Sequence, residues 1–92
     1  MKIGEFRDAV DSLNWSRRDL AGATRSEFLA MDVRTRLQRH IDKVAGLAPS
    51  VHARFAGDLA HARAAIEAAR ATIARWENCR AAAVAQARAK AD

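Results

Sequence analysis

The sequence predicts an all-α protein: an antiparallel helical hairpin with a short N-terminal helical segment, similar to a three- or four-helix bundle. Apolar residues recur at spacings of three and four along most of the 92 residues, which is the period of an amphipathic helix. Helix breakers are few, since the chain has one proline and four glycines. A chain of this length forms one domain. We predict a single helical domain over 1–92, with short helices in 1–23 and long hairpin helices over 24–48 and 50–92.

The first segment contains an apolar stripe over about three turns, formed by Ile3, Phe6, Val10 and Leu13. We expect the stretch Asn14-Trp15-Ser16 to interrupt this helix, because Ser16 with Asp19 resembles a capping box. A second short helix over 17–21 would then end near Gly22.

The second segment opens with a similar signature, Thr24 with Glu27. Its apolar stripe consists of Ala30, Val33, Leu37, Ile41, Val44 and Ala48. We predict that this helix stops around Gly46 through a left-handed cap, since Pro49 forbids its continuation.

The last segment, with Ser50 as its expected cap, has a 4-3-4-3 stripe typical of coiled coils. Its members are Phe55, Leu59, Ala62, Ile66, Ala69, Ile73, Trp76, Arg80, Ala83 and Ala87. In a hairpin, Val44 would face Phe55 and Leu37 would lie near Ala62. The last helix would be about 60 Å long against about 33 Å for its partner. Its far half therefore needs another cover, either the N-terminal helix with Phe6, Val10, Leu13 and Trp15 or a second copy of the chain.

The charge of the chain is a formal +5, with 13 arginines and 3 lysines spread along the helices. A dispersed excess of this kind is ordinary for a protein surface and is a weak sign of nucleic-acid binding. Cys79 is the single cysteine, so an intrachain disulfide is excluded. We find neither a signal-peptide pattern nor an apolar run of membrane-spanning length, and we expect a cytoplasmic protein without membrane contact.

Residues that could support catalysis or bind metal are scattered. His40, His52 and His61 lack the three- or four-residue spacing that places two ligands on one helix face, and no cysteine pair joins them. There is no glycine-rich phosphate loop and no Gly-x-Ser-x-Gly motif. We therefore expect no metal, no cofactor, no small-molecule substrate and no enzymatic activity.

Large apolar side chains are scarce, because 23 residues are alanine. We expect a protein partner and a homodimer. The aromatic and arginine residues near the far half have the composition of interface hot spots, although Trp15, Phe28 and Trp76 could instead form the core of the monomer. The candidate partner-binding residues are Trp15, Arg17, Arg18, Ile73, Trp76, Arg80 and Val84. In size and simplicity the chain resembles small accessory proteins of phages and mobile elements, including inhibitors of host defence enzymes, and a non-enzymatic protein-binding module is the leading expectation.

The alternative function is a small basic nucleic-acid-binding regulator. The stretch from Asn14 to Ala21 resembles the first half of a helix-turn-helix unit, although Arg25 stands where the tight turn usually has glycine. A basic helical face is the second route to nucleic acid. The candidate residues are Arg17, Arg18, Arg25, Arg34, Arg63 and Arg70.

Overall fold

The computed structural model of the chain describes residues 2–22 and 27–91. They form three α-helices, α1 (Ile3–Gly22), α2 (Glu27–Leu47) and α3 (Ala56–Ala91). Two short 3-10 turns, Ala48–Ser50 and Ala53–Phe55, connect α2 to α3. No strand occurs in these two ranges. The predicted all-α class is confirmed.

Helix α1 is continuous, so the expected break at Asn14-Trp15-Ser16 is wrong. The chain has no glycine or proline between Glu5 and Ala21, and nothing there stops the helix. Ser16 extends the buried face of α1 instead of capping a new helix. That face consists of Phe6, Ala9, Val10, Leu13, Ser16 and Leu20.

The turn between α2 and α3 also differs from the prediction. Helix α2 runs through Gly46 to Leu47, and no glycine in the described ranges has a positive φ. The proline ring of Pro49 ends the α-helix, and Pro49 and Ser50 lie in the first 3-10 turn. The cap after the turn is His52, whose Nδ1 accepts a hydrogen bond from the backbone N–H of Arg54 at 3.0 Å. The predicted cap at Thr24 lies outside the described residues.

The core is formed by all three helices. Its largest fully buried side chains are Phe6, Leu13, Leu20, Leu37, Ile41 and Val44. Helix α1 packs against both α2 and α3, which contact each other less extensively than either contacts α1. Helix α3 contributes mainly small side chains, with Ala62, Ala65 and Ala69 buried. Small side chains at these positions permit close approach of a neighbouring helix.

The position of α1 corrects the expectation that it covers the far half of the last helix. Arg7 near the start of α1 pairs with Asp58 near the start of α3, and Phe6 and Val10 line a small cavity beside them. Helix α1 therefore lies along the near half of α3. As one continuous helix of about 30 Å, it is long enough to cover that half completely.

The molecule is elongated, at 59 × 18 × 17 Å, because α3 is much longer than its neighbours. The 36 residues of α3 give it a length of about 54 Å. Every residue from Glu77 to Lys90 is exposed, including the stripe positions Arg80, Ala83 and Ala87. The second half of α3 thus projects past the core, and we call residues 77–90 the α3 extension.

Candidate protein-docking groove

A groove lies where the α3 extension leaves the bundle beside the beginning of α2. Its open volume is about 820 Å³. The apolar lining consists of Met31, Trp76, Ala81, Val84 and Ala85. Met31 is 38% exposed and Val84 is 43% exposed, which is high for large apolar side chains. We call this site the α3 groove.

Charged side chains surround the apolar lining, and most of them are basic. They are Arg34, Glu77, Arg80 and Arg88. Arg34 pairs with Glu77, with its Nη2 atom 2.6 Å and its Nε atom 2.8 Å from Oε1. The guanidinium carbon of Arg80 lies 5.8 Å from the ring centre of Trp76, within the range of a cation–π contact. With three guanidinium groups and one carboxylate, the rim favours an anionic occupant.

The local sequence explains why the groove forms. Arg34 follows the buried Val33 in α2, so it lies at the edge of the packed face and can reach α3. Ile73, which is 8% exposed, is the last core residue of α3, and Trp76 lies one turn later at the margin. Beyond Glu77 the chain is rich in alanine, which has the highest helix propensity, so the helix can continue through a stretch in which every residue up to Lys90 is exposed.

A second unusual surface lies on the outside of α1. Trp15 is 64% exposed, and the guanidinium carbon of Arg18 lies 5.4 Å from its ring. Exposed carboxylates lie around it at helical spacing. We call this surface the Trp15 face; it consists of Asp8, Asp11, Trp15, Arg18 and Asp19.

The structure brings together some of the predicted partner-binding residues and separates others. Trp76, Arg80 and Val84 line the α3 groove. Ile73 belongs to the core. Trp15 and Arg18 lie on the Trp15 face, so the expectation that Trp15 packs in the core against Trp76 and Phe28 is wrong for Trp15.

Arg17 and Met31 lie in positions that the sequence did not predict. Arg17 is half-buried, and its Nε has no hydrogen-bond partner in the described part of the chain. Met31 was missed, because it falls outside the apolar stripe of α2. Its exposure near the start of α2 is visible only in the structure.

The residues predicted for nucleic-acid binding are not gathered into one basic surface. Arg63 and Arg70 are exposed on α3, and Glu77 continues their seven-residue spacing. Arg34 does reach this side of α3, but there it pairs with Glu77. Arg17 and Arg18 lie on α1, and Arg25 is outside the described residues.

At the opposite end of the bundle, an ion pair holds α1 to α3. The Nε atom of Arg7 donates to Oδ1 of Asp58 at 2.9 Å, and its Nη2 atom donates to Oδ2 at 3.2 Å. These hydrogen bonds are the main cause of a lowered pKa at Asp58; partial burial opposes the effect, and the positive charges of Arg7 and His61 add to it. The adjacent cavity is about 50 Å³ and is lined by both partners. This site therefore links α1 to α3 and offers little space for a ligand.

The remaining candidate residues do not form a further site in the described ranges. His40 is half-buried, His61 is exposed, and Cys79 is exposed on the α3 extension. No three histidine, cysteine or acidic residues of residues 2–22 and 27–91 lie close enough to hold a metal ion. None of the helices in the described part of the chain is long and apolar enough to cross a membrane.

Comparison with known proteins identifies no relative. No protein-family profile matches the chain, and neither curated proteins nor solved structures include one that is similar to it.

Proposed function

We propose that this protein is a small non-enzymatic binding module that docks a helix of another protein molecule in the α3 groove. The observation that supports this proposal is the combination of an exposed apolar lining with a basic rim at the point where α3 projects from the core. Exposed large apolar side chains that cluster inside a polar rim are typical of protein-binding sites. An accessory or inhibitory role of the kind found in phages and mobile elements would use such a surface.

The shape of the groove favours a helical occupant. Trp76, Arg80, Val84 and Arg88 follow one another at four-residue steps and form one row along α3. This row is about 18 Å long, equal to about three turns of a docked helix. A helix with apolar residues at three- and four-residue spacing can place them against Trp76 and Val84, in the helix-in-groove mode.

The charges of the groove indicate what the docked helix carries beside its apolar residues. Arg34, Arg80 and Arg88 all border the groove, and Arg34 also pairs with Glu77. Carboxylates flanking the apolar row of the partner would meet these guanidinium groups. Complementary charge of this kind raises the association rate and sets the register.

Binding of nucleic acid is the competing function. Phosphate contacts need basic groups and have no use for an apolar lining of methionine, tryptophan and valine. Arg7, Arg34 and Arg36 are each paired with a carboxylate. The groove therefore supports a protein partner better than a phosphate backbone.

The experiment uses two alanine-based helical peptides with the same leucine row, flanked by glutamate in one and by lysine in the other. Titration into the full chain is followed by tryptophan fluorescence, with a matched titration of mixed-sequence DNA and RNA. We expect the glutamate peptide to bind at least tenfold more tightly than the lysine peptide.

Two variants locate the binding surface. Val84→Asp introduces a charge into the apolar lining and should weaken peptide binding at least tenfold, whereas Arg63→Ala, on a different row of α3, should leave it unchanged. Equal affinity for both peptides, or nucleic-acid binding lost in Arg63→Ala/Arg70→Ala but retained in Val84→Asp, would overturn the proposal.

A further inference from the structure

We infer that the α3 groove of one molecule is occupied by the Trp15 face of a second copy of the same chain. This inference rests on the proposed function and names the partner of the same groove. Both surfaces are left uncovered by the fold. Together they contain Trp15, Met31 and Val84, which are the exposed large apolar side chains among the residues whose burial the structure describes.

The two surfaces match in spacing. On α1, Asp11 and Asp19 lie four residues before and four residues after Trp15. On α3, Arg80 and Arg88 lie four residues before and four residues after Val84. Each row is about 12 Å long, so Trp15 can contact Val84 while both carboxylates meet guanidinium groups.

The two surfaces also match in charge. The Trp15 face carries three carboxylates and the guanidinium group of Arg18. The α3 groove carries three guanidinium groups and the carboxylate of Glu77. A pairing of two identical grooves would instead bring Arg80 and Arg88 of each copy together. Charge complementarity thus favours the contact between face and groove over a contact between two grooves.

A single molecule cannot make this contact with itself. The Arg7–Asp58 pair places α1 alongside the first half of α3 with an offset of 51 residues. Trp15 therefore lies level with Ile66, and Val84 lies 18 residues, about 27 Å, further along the bundle. The α3 groove can therefore contact only the Trp15 face of another molecule.

A two-fold axis allows two molecules to exchange these contacts. An axis perpendicular to the bundle, midway between the levels of Trp15 and Val84, places the Trp15 face of each copy in the groove of the other. The α3 extension then runs antiparallel to α1 of the other copy. In this register Asp19 lies opposite Arg80, and Asp11 lies opposite Arg88. The contact closes as a dimer and leaves neither surface uncovered.

The test is a charge exchange between two full-length variants, Asp11→Arg/Asp19→Arg and Arg80→Glu/Arg88→Glu. Sedimentation velocity should show a dimer for the wild-type chain. Each variant alone should dissociate at least tenfold more readily, because like charges face each other in both contacts. An equimolar mixture should dimerise again, since every acidic row then meets a basic row. Circular dichroism of each variant checks that it is folded.

The outcomes separate this inference from the proposed function. A wild-type chain that stays monomeric at several hundred micromolar, or a dimer that neither pair of substitutions weakens, would overturn the second copy as the partner. The glutamate peptide would still bind the groove if the proposed function is right. Peptide titrations are run below the concentration of dimerisation, where no second copy occupies the groove. A monomer that does not bind the glutamate peptide would instead contradict the proposed function.

Discussion

Ser16 places a hydroxyl on the buried face of α1, where it adds no hydrogen bond to the stability of the described part of the chain. Its side chain is 5% exposed, and its hydroxyl has no hydrogen-bond partner in the described part of the chain. Thr72, the other buried hydroxyl residue of the described ranges, donates to the carbonyl of Ala68 at 2.9 Å. A buried hydroxyl without a partner costs free energy that a methyl group of similar size does not.

Replacing Ser16 with alanine should therefore stabilise the protein by about 1 kcal/mol, from the removed hydroxyl and the higher helix propensity of alanine. Ser12→Ala is the matched control, because Ser12 is exposed on the same helix. It should gain about 0.5 kcal/mol or less, from propensity alone. Urea unfolding of both variants measures the difference, and a destabilised Ser16→Ala would show that the hydroxyl makes a bond.

The contribution of the Arg7–Asp58 pair to folding stability should depend on pH. The pKa of Asp58 is lower in the folded chain than its ordinary value, chiefly because Arg7 donates hydrogen bonds to its carboxylate. The stabilisation is therefore present above the ordinary aspartate pKa and is lost as pH falls through the lowered value. Asp58→Asn should reduce the urea midpoint at neutral pH, and its deficit should shrink in acid.

The control for this prediction is Asp8→Asn. Asp8 is an exposed carboxylate on α1, next to Arg7 in sequence. Its effect should vary much less over the same pH range. A deficit of Asp58→Asn that stays constant down to strong acid would contradict the assignment of the stabilisation to the carboxylate.

At the scale of elements, the end of α2 is decided by Pro49 and not by Gly46. Gly46 lies inside the helix with φ in the ordinary negative range, and a Cβ added there would meet no atom within 4 Å. Glycine at a helical position has more conformational freedom to lose on folding than alanine has. It is therefore a cost to the element that contains it.

Gly46→Ala should stabilise the chain by about 0.5–1 kcal/mol, as measured by urea or thermal unfolding. If Gly46 instead formed the left-handed cap that the sequence predicted, Gly46→Ala would destabilise the chain, because alanine is strained at positive φ. A destabilised Gly46→Ala variant would thus support the left-handed cap and contradict the observed end of α2.

The helices also show which features of the fold were predictable. The apolar period alone gives three helical segments, because the three- and four-residue spacing is local. The continuity of α1 was missed because Ser16 and Asp19 have a capping signature, and the signature was overridden by burial of Ser16 on a continuous face. The lining of the candidate groove could be anticipated in part: Trp76 and Arg80 belong to the stripe of the last segment and Val84 lies one turn after Arg80, whereas Met31 and Arg34 join them only through tertiary packing.

At the scale of the whole molecule, the bundle and the α3 extension differ in burial. The core ends at Ile73, with Trp76 packed at its margin. The apolar side chains of the exposed extension are Val84 and small ones, namely alanines and Cys79. Helix α1 covers the near half of α3, and this leaves its own outer face and the extension both uncovered. The first half of α3 packs in the core, and we expect the α3 extension to form the docking surface.

The most direct test of this division is a chain that ends after Cys79, compared with the full chain. Below the concentration of dimerisation, its free energy of unfolding should stay within about 1 kcal/mol of the full-length value, because the removed residues are exposed. In sedimentation velocity at high concentration it should remain monomeric, since Arg80, Val84 and Arg88 are gone. A truncated chain that still dimerises like the full chain, or one whose bundle no longer folds, would contradict the account.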